Sequence, residues 1–436
     1  MPTPLHPIPL RPLGFWEASC ALNSRRTHGA STMLIMAEGA GPLTKEAVHI
    51  GAKALFERHQ ILRCRLTEDD PIPEFVDDVR FSDLPLTMQS ADSDREVVEI
   101  WEQMLHEPLP DMRRLWELRL APTTDAKMWR LFLKMHHAIA DGRSMASAMD
   151  QLLELAAAHI RNETLEPSDV PLPAHSESRV AHPVDRDELA ASTAQSHEPE
   201  PITSWLLDCE ADLASRRPRV AFRCLDVEAS GRLRIRCHDE GVTVLEAVVG
   251  ALSVVQARHA THAGGVIDTD FIVPIDMRRF FEPPSGHHEN QMAVYCVRVF
   301  LPDVTATDDP WNLARRFHDA FVPLLTESQF PPWNATAQDI QDGHDLWKDV
   351  NGQYIHGFCP TNVGVLPSDM DHAPLVTNRV ELTAAAQAGG FPVLMPLLSH
   401  KGVLRANFTW TEPLMADHTA RGWIDDIWEK VTSMAG

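Results

Sequence analysis

Long apolar runs, closely spaced cysteines and an excess of basic charge are all missing from this 436-residue chain. No stretch approaches the length of a membrane span, which argues against stable insertion in a bilayer. The opening residues, Met1-Pro2-Thr3-Pro4-Leu5-His6-Pro7, lack the charged segment and apolar run of a secretory signal, so a cytoplasmic location is expected. The seven cysteines, at positions 20, 64, 209, 224, 237, 296 and 359, include no C-x-x-C pair. An odd, scattered set reads as reduced thiols and not as a disulfide framework. None sits in a recognisable nucleophile setting, which disfavours a covalent intermediate on sulfur. Lysine and arginine number 39 against 62 acidic residues, a formal charge of -23. Broad nucleic-acid or anionic-membrane binding needs the opposite balance and is disfavoured, which leaves room for local basic patches. There is no G-x-x-x-x-G-K-[ST] phosphate loop, no G-x-G-x-x-G dinucleotide fingerprint and no H-E-x-x-H. His259-x-x-His262 and His287-His288 belong to no array with ligand spacing, so neither a metal nor a tightly bound cofactor is expected.

The chain does have ample core-forming material, with 44% hydrophobic and 23% charged residues. Its length exceeds one small core and suits two lobes. The sharpest change in composition spans about Asn162 to Glu200, rich in Pro, Ser, His and acidic residues, and predicts a mobile or surface-draped crossover. The expected organisation is therefore an N-terminal lobe over 1–161, a crossover over 162–200 and a C-terminal lobe over 201–436. Before the crossover, spacing predicts helices over 44–59, with Thr44 as cap, and near 94–105. Strands are expected from Arg63, over Leu115–Leu120 and over 129–136. After it, Thr243 and Glu246 form a capping box ahead of an apolar helix. Strands follow near 271–275, 293–300, 357–366 and 403–410, and a terminal amphipathic helix over 416–434. The fold class is mixed α/β.

One segment concentrates chemistry: His136-His137-Ala138-Ile139-Ala140-Asp141-Gly142. Trp129, Leu131, Leu133 and Met135 alternate with Arg130, Phe132, Lys134 and His136, as in a strand, and a helical pattern begins at Ser144. The motif thus fills a strand-to-helix turn, a good place for a catalytic group. His137 stands where the strand ends, and an imidazole with an ordinary pKa near 6.5 suits a general base. His136 is expected to hold the turn. Asp141 either orients His137 or pairs with a distant cation. Gly142 permits a backbone shape or a close approach that a side chain would block.

H-H-x-x-x-D-G resembles the signature of the superfamily that includes chloramphenicol acetyltransferase-like enzymes, peptide-synthetase condensation domains, wax-ester synthases and alcohol acetyltransferases. Arg58-His59-Gln60-Ile61-Leu62-Arg63, Leu115-Trp116-Glu117-Leu118, Pro274-Ile275-Asp276-Met277-Arg278 and Thr361-Asn362-Val363-Gly364 extend the resemblance over nearly the whole chain outside the crossover. A D-F-G-W-G segment is missing, which sets aside the plant acyltransferases of that superfamily. The resemblance implies two chloramphenicol-acetyltransferase-like lobes in a V-shaped pseudo-dimer with a central channel. It implies an acyltransferase with His137 as catalytic base and His136, Asp141, Gly142 and Arg278 building the site. Asp141 would pair with Arg278, with Arg279 the second candidate, and Asn362 would position substrate or the oxyanion, through its amide or by shaping its turn. Acyl-CoA is the expected cosubstrate and a hydroxyl on a lipid or secondary metabolite the acceptor, joined directly in a ternary complex. Two alternatives stay open: a condensation-type enzyme drawing on a carrier-protein thioester, and a scaffold using His137 for cyclisation, isomerisation or elimination. Arg216, Arg217, Arg219, Arg232, Arg234 and Arg236 form basic clusters that could meet either donor.

Overall fold

The computed structural model describes residues 8–29, 31–109, 113–164, 168–187, 205–260, 265–284, 291–345, 353–354, 356–366 and 369–436. Residues 165–167 and 188–200 of the expected crossover, and His262, His287 and His288, lie outside these. At the centre of the first lobe, the strand Met128–His136 pairs antiparallel with Thr32–Ala40 on one side and Trp116–Pro122 on the other. Its alternation is real, but both faces are buried. Leu131, Leu133 and Met135 pack under the helices Lys45–Arg58 and Gly142–Ile160. Phe132 packs against Trp101 of the helix Asp94–His106, on the opposite face. Lys134 is tolerated on that covered face because its ammonium donates to the Glu107 carbonyl and lies 3.4 Å from Glu117.

Thr44 caps its helix as expected, its hydroxyl accepting the Ala47 N–H at 3.1 Å. The helix after the histidine motif starts at Gly142, two residues before the periodic pattern, because Asp141 is its cap.

The second lobe is built on a four-stranded sheet ordered Cys359–Val365, Leu394–His400, Val403–Glu412, Arg217–Leu225. A long ribbon, Val266–Asp276 with Val294–Thr305, lies beside it. The helices Val227–Glu240, Val244–His259, Pro310–Phe321 and Asp417–Met434 supply the opposing layer of one continuous core.

Two features depart from the sequence reading. The strand Val376–Ala384, placed in the C-terminal lobe by the 201–436 boundary, crosses back and pairs with Thr32–Ala40 of the first lobe. That edge is buried on both faces, so its backbone groups need a partner strand. The crossing strand remains tied to its own lobe: Asn407 donates to the Leu382 carbonyl at 2.7 Å, and Arg405 to Glu381 at 2.9 Å. The described part of the crossover is also more than a draped loop. Ser176 and Glu177 are buried. The Ser176 hydroxyl donates to the Met292 carbonyl at 2.5 Å, and Glu177 accepts the Trp16 N–H at 3.0 Å. Among the described residues, no single helix is long and apolar enough to cross a membrane.

Candidate active site

Where Met128–His136 ends, the chain turns through a bend fixed by its own backbone. The His137 N–H donates to the Ser31 carbonyl at 3.0 Å, and the Ile139 N–H to the His136 carbonyl at 3.1 Å. His136 is buried, with Nδ1 accepting the Ala138 N–H at 3.0 Å. Burial, aided by the neighbouring His137, pushes its pKa down to about 3. It is therefore a neutral ring carrying its proton on Nε2, and it holds the turn from inside.

His137 faces the other way, half-buried in the wall of a chamber of about 190 Å³. Its Nδ1 lies 3.0 Å from the Ala140 carbonyl. A carbonyl can only accept, so Nδ1 carries the proton and Nε2 keeps its lone pair. Burial lowers the His137 pKa, which keeps the ring neutral near pH 7 and able to take a proton.

Asp141 makes no hydrogen bond with His137. Its Oδ1 accepts the N–H groups of Arg143 and Ser144 at 3.1 and 3.0 Å, capping the helix. Its Oδ2 accepts Arg278 Nη1 at 2.9 Å and the Ala293 N–H at 3.0 Å, both from the second lobe. Burial works against the charged carboxylate, yet the Arg278 charge and these N–H donors outweigh it and hold its pKa below the usual range. Arg278 also donates to Asp276 at 2.9 Å and to the Gln291 carbonyl at 2.9 Å, and Ser144 Oγ donates to the same carbonyl at 2.8 Å. Of the two alternatives for Asp141, the geometry is that of a clamp across the lobe seam. Arg279 lies over the Phe280 ring instead, 5.4 Å from its centroid.

Gly142 lines the chamber at a close approach: a Cβ there would lie 3.0 Å from Val363 Cγ2. The resembling Thr361-Asn362-Val363-Gly364 segment is not a free turn but part of the bulged strand Cys359–Val365, with Gly364 at φ 88°. Strand alternation sends Thr361 and Val363 into the chamber wall and Asn362 out. Asn362 is exposed, with Oδ1 accepting the Gly364 N–H at 2.9 Å. The structure does not bring its amide to His137, and of the two parts expected of it only shaping the bulge remains.

Several wall residues escaped the sequence reading. Trp16, Cys20 and Asn23 come from the helix Phe15–Arg26, whose mixed composition hides its buried side. Cys20, Cys296 and Cys359 all line the chamber. Burial pushes the Cys20 and Cys359 thiols up to about 12 and Cys296 well above its ordinary value, so none is a thiolate near pH 7. His259, the described member of one histidine pair, is tied to Asp426 at 2.9 Å and stacked on Trp423. Of the basic clusters, Arg219, Arg232 and Arg236 each pair with a carboxylate, and Arg216 donates to the Gln387 and Ala388 carbonyls.

The motif thus places a neutral histidine at a chamber between two lobes, with its carboxylate clamped across the seam. Two family models match consecutive parts of the chain: the wax ester synthase/diacylglycerol acyltransferase catalytic domain over residues 68–196, and the phthiocerol/phthiodiolone dimycocerosyl transferase C-terminus over 214–368. The chain belongs to the chloramphenicol acetyltransferase-like acyltransferase superfamily and is an acyltransferase. It shares its fold with polyketide synthase associated protein 5 from Mycobacterium tuberculosis, at 14% identity and TM-score 0.71 over 99% of both chains. It shares it also with the trichothecene 15-O-acetyltransferase TRI3 from Fusarium sporotrichioides, at 12% identity and TM-score 0.75 over 97% of this chain and 95% of that one. The first condensation domain of the CDA synthetase aligns at 16% identity and TM-score 0.71 over 98% and 96%. No curated protein sequence matches the chain.

Proposed function

We propose that the protein moves an acyl group from acyl-CoA to a hydroxyl of a lipid or secondary metabolite, with His137 as the general base. The observation that carries this reading is the Nδ1–H of His137 held by the Ala140 carbonyl, which leaves a basic Nε2 at the chamber. Ester formation is favoured because one matched family model is named for wax ester synthesis and the trichothecene enzyme of the same fold is named an O-acetyltransferase.

Nε2 takes the alcohol proton as the alcohol oxygen attacks the thioester carbonyl carbon. The oxyanion forms in the chamber near Gly142, the first residue of the helix Gly142–Ile160. Collapse breaks the carbon–sulfur bond, and the leaving thiolate takes the proton back from Nε2. Ester and free CoA thiol result, and the base is regenerated. The protonated chamber thiols make a cysteinyl intermediate a poor competitor, which supports direct transfer in a ternary complex. Asp141, with every acceptor position filled, acts by holding the lobes and the turn. Asn362 acts, in this reading, on the shape of the bulged strand.

The test is incubation with isotope-labelled acyl-CoAs and an alcohol panel, alongside folded His137→Ala. Labelled ester with equimolar thiol, lost in the variant, is the expected result. Conversion without label transfer would refute it in favour of proton-transfer chemistry. Ester formed only from a carrier-protein thioester would refute the CoA donor.

A further inference from the structure

A second cavity, of about 650 Å³, shares Trp16 and Cys296 with the wall of the reaction chamber. Small-molecule sites usually span roughly 300–1,000 Å³. The 190 Å³ chamber is too small to hold more than the reacting groups, whereas the outer cavity can hold the body of a substrate. Its wall is largely apolar, formed by Phe15, Ile272, Phe330, Pro331 and Pro332, with Trp16 lining both spaces.

One polar device stands in that wall. Arg298 Nε donates to the fully buried Asp270 at 2.5 Å. Asp270 is itself fixed by the Gly357 N–H at 2.7 Å and by His356 Nδ1 at 3.4 Å. Among the described residues, Nη1 and Nη2 of Arg298 donate to no protein group, and the side chain is 35% exposed. The guanidinium is therefore oriented, with its outer edge left for a ligand. Its charge is cancelled by Asp270, and that of Arg186 at the rim by Asp339, 2.6 Å away. The wall offers N–H donors without net positive charge, which is poor for the phosphates of CoA and good for an uncharged oxygen.

We propose that the outer cavity seats the acceptor: an uncharged, mostly apolar alcohol carrying a carbonyl or ester oxygen that Arg298 binds, with Trp16 limiting the bulk that reaches His137. The assignment rests on the acyl-transfer reading for its chemistry and on the cavity for its ligand, so the two can fail separately.

The probes are methyl esters of ω-hydroxy acids of increasing chain length, each compared with the alkanol of equal length. Calorimetry on His137→Ala should show saturable binding of the ester alcohols with a length optimum. Arg298→Met combined with Asp270→Asn, which strands no buried charge, should weaken that binding about 3- to 10-fold more than binding of the matched alkanols. Ser328→Trp, at an exposed wall position, should block both probe series. With acyl-CoA present, Trp16→Ala in the otherwise wild-type enzyme should raise kcat/KM for alcohols branched next to the hydroxyl relative to unbranched ones. Binding indifferent to both cavity changes would overturn the proposal even if the enzyme makes esters. So would an effect confined to the KM for acyl-CoA. Binding lost as expected, with no ester from any acyl-CoA, would keep the site and overturn the CoA-transfer reading.

Discussion

Replacing Asp141 tests whether the motif carboxylate is a clamp or a catalyst. Its side chain is 2% exposed and that of Arg278 14%, so a single truncation leaves a largely buried partner. In Asp141→Ala the helix loses its cap, about 0.5–2 kcal/mol. The seam also loses a charged acceptor for Arg278 and for the Ala293 N–H. Breaking a buried pair from one side costs about 3–5 kcal/mol, but Arg278 keeps Asp276 at 2.9 Å, so the lower part of that range is expected. Asp141→Asn keeps a capping oxygen and should cost about 1–3 kcal/mol. Arg278→Ala should match or exceed Asp141→Ala, since it leaves the carboxylate with N–H donors alone. Urea unfolding gives each value, and the double variant should fall short of the summed single losses by about 1 kcal/mol or more. Stability within about 0.5 kcal/mol of wild type in Asp141→Ala, or a coupling near zero, would refute the clamp.

His137→Ala should lower kcat by about 10²–10⁴-fold while unfolding near the wild-type midpoint, because the half-buried ring makes one hydrogen bond. Steady-state kinetics beside thermal unfolding checks both halves. Gly142→Ala places a methyl 3.0 Å from Val363 Cγ2 and should cost about 1–3 kcal/mol, with part recovered in Gly142→Ala/Val363→Ala. No recovery would place the strain elsewhere. The lowered pKa of His136 means that the unfolded chain binds a proton the folded one refuses. Its contribution is complete above the unfolded value near 6.5 and is lost as pH falls towards about 3. That loss is about 1.4 kcal/mol at pH 5.5, and Asp141, whose pKa is also lowered, adds to it only below about pH 4. Urea unfolding of wild type and His136→Gln between pH 7.5 and 5.5 should show the steeper fall in wild type.

Local pattern carried most of the secondary structure and the motif. Thr44, Thr243 and the alternation of 129–136 are signals that act within a few residues, and each element lies where they place it. What local pattern could not convey was partnership. Val376–Ala384 reads as one more strand of its lobe, and nothing within it says that its neighbour is Thr32–Ala40. Asn362 was legible as part of a motif segment, but its direction depends on a register that only the pairing with Leu394–His400 sets. Trp16 was hidden for another reason: Phe15–Arg26 carries no clear apolar stripe, and its chamber face mixes Ser19, Cys20 and Asn23.

The seam explains why base and carboxylate sit so close in sequence yet do separate work. An Asp bonded to His137 would stabilise the protonated ring and raise its pKa; here the orienting acceptor is the uncharged Ala140 carbonyl, so burial lowers it. That leaves the carboxylate free for a mechanical part, and its two oxygens divide it. Oδ1 fixes the start of the helix beside the chamber, and Oδ2 fixes Arg278 and Ala293 of the opposite lobe. Displacing the lobes would therefore move the helix end and the turn carrying His137 together. It follows that Arg278→Lys, which keeps the charge but loses the fork that spans Asp141, Asp276 and the Gln291 carbonyl, should disturb the site more than the stability. The expected signature is a fall in kcat larger than the unfolding loss accounts for, with the pH profile of kcat still set by one group, His137. A second group appearing in that profile would mean that Asp141 takes part in the chemistry after all.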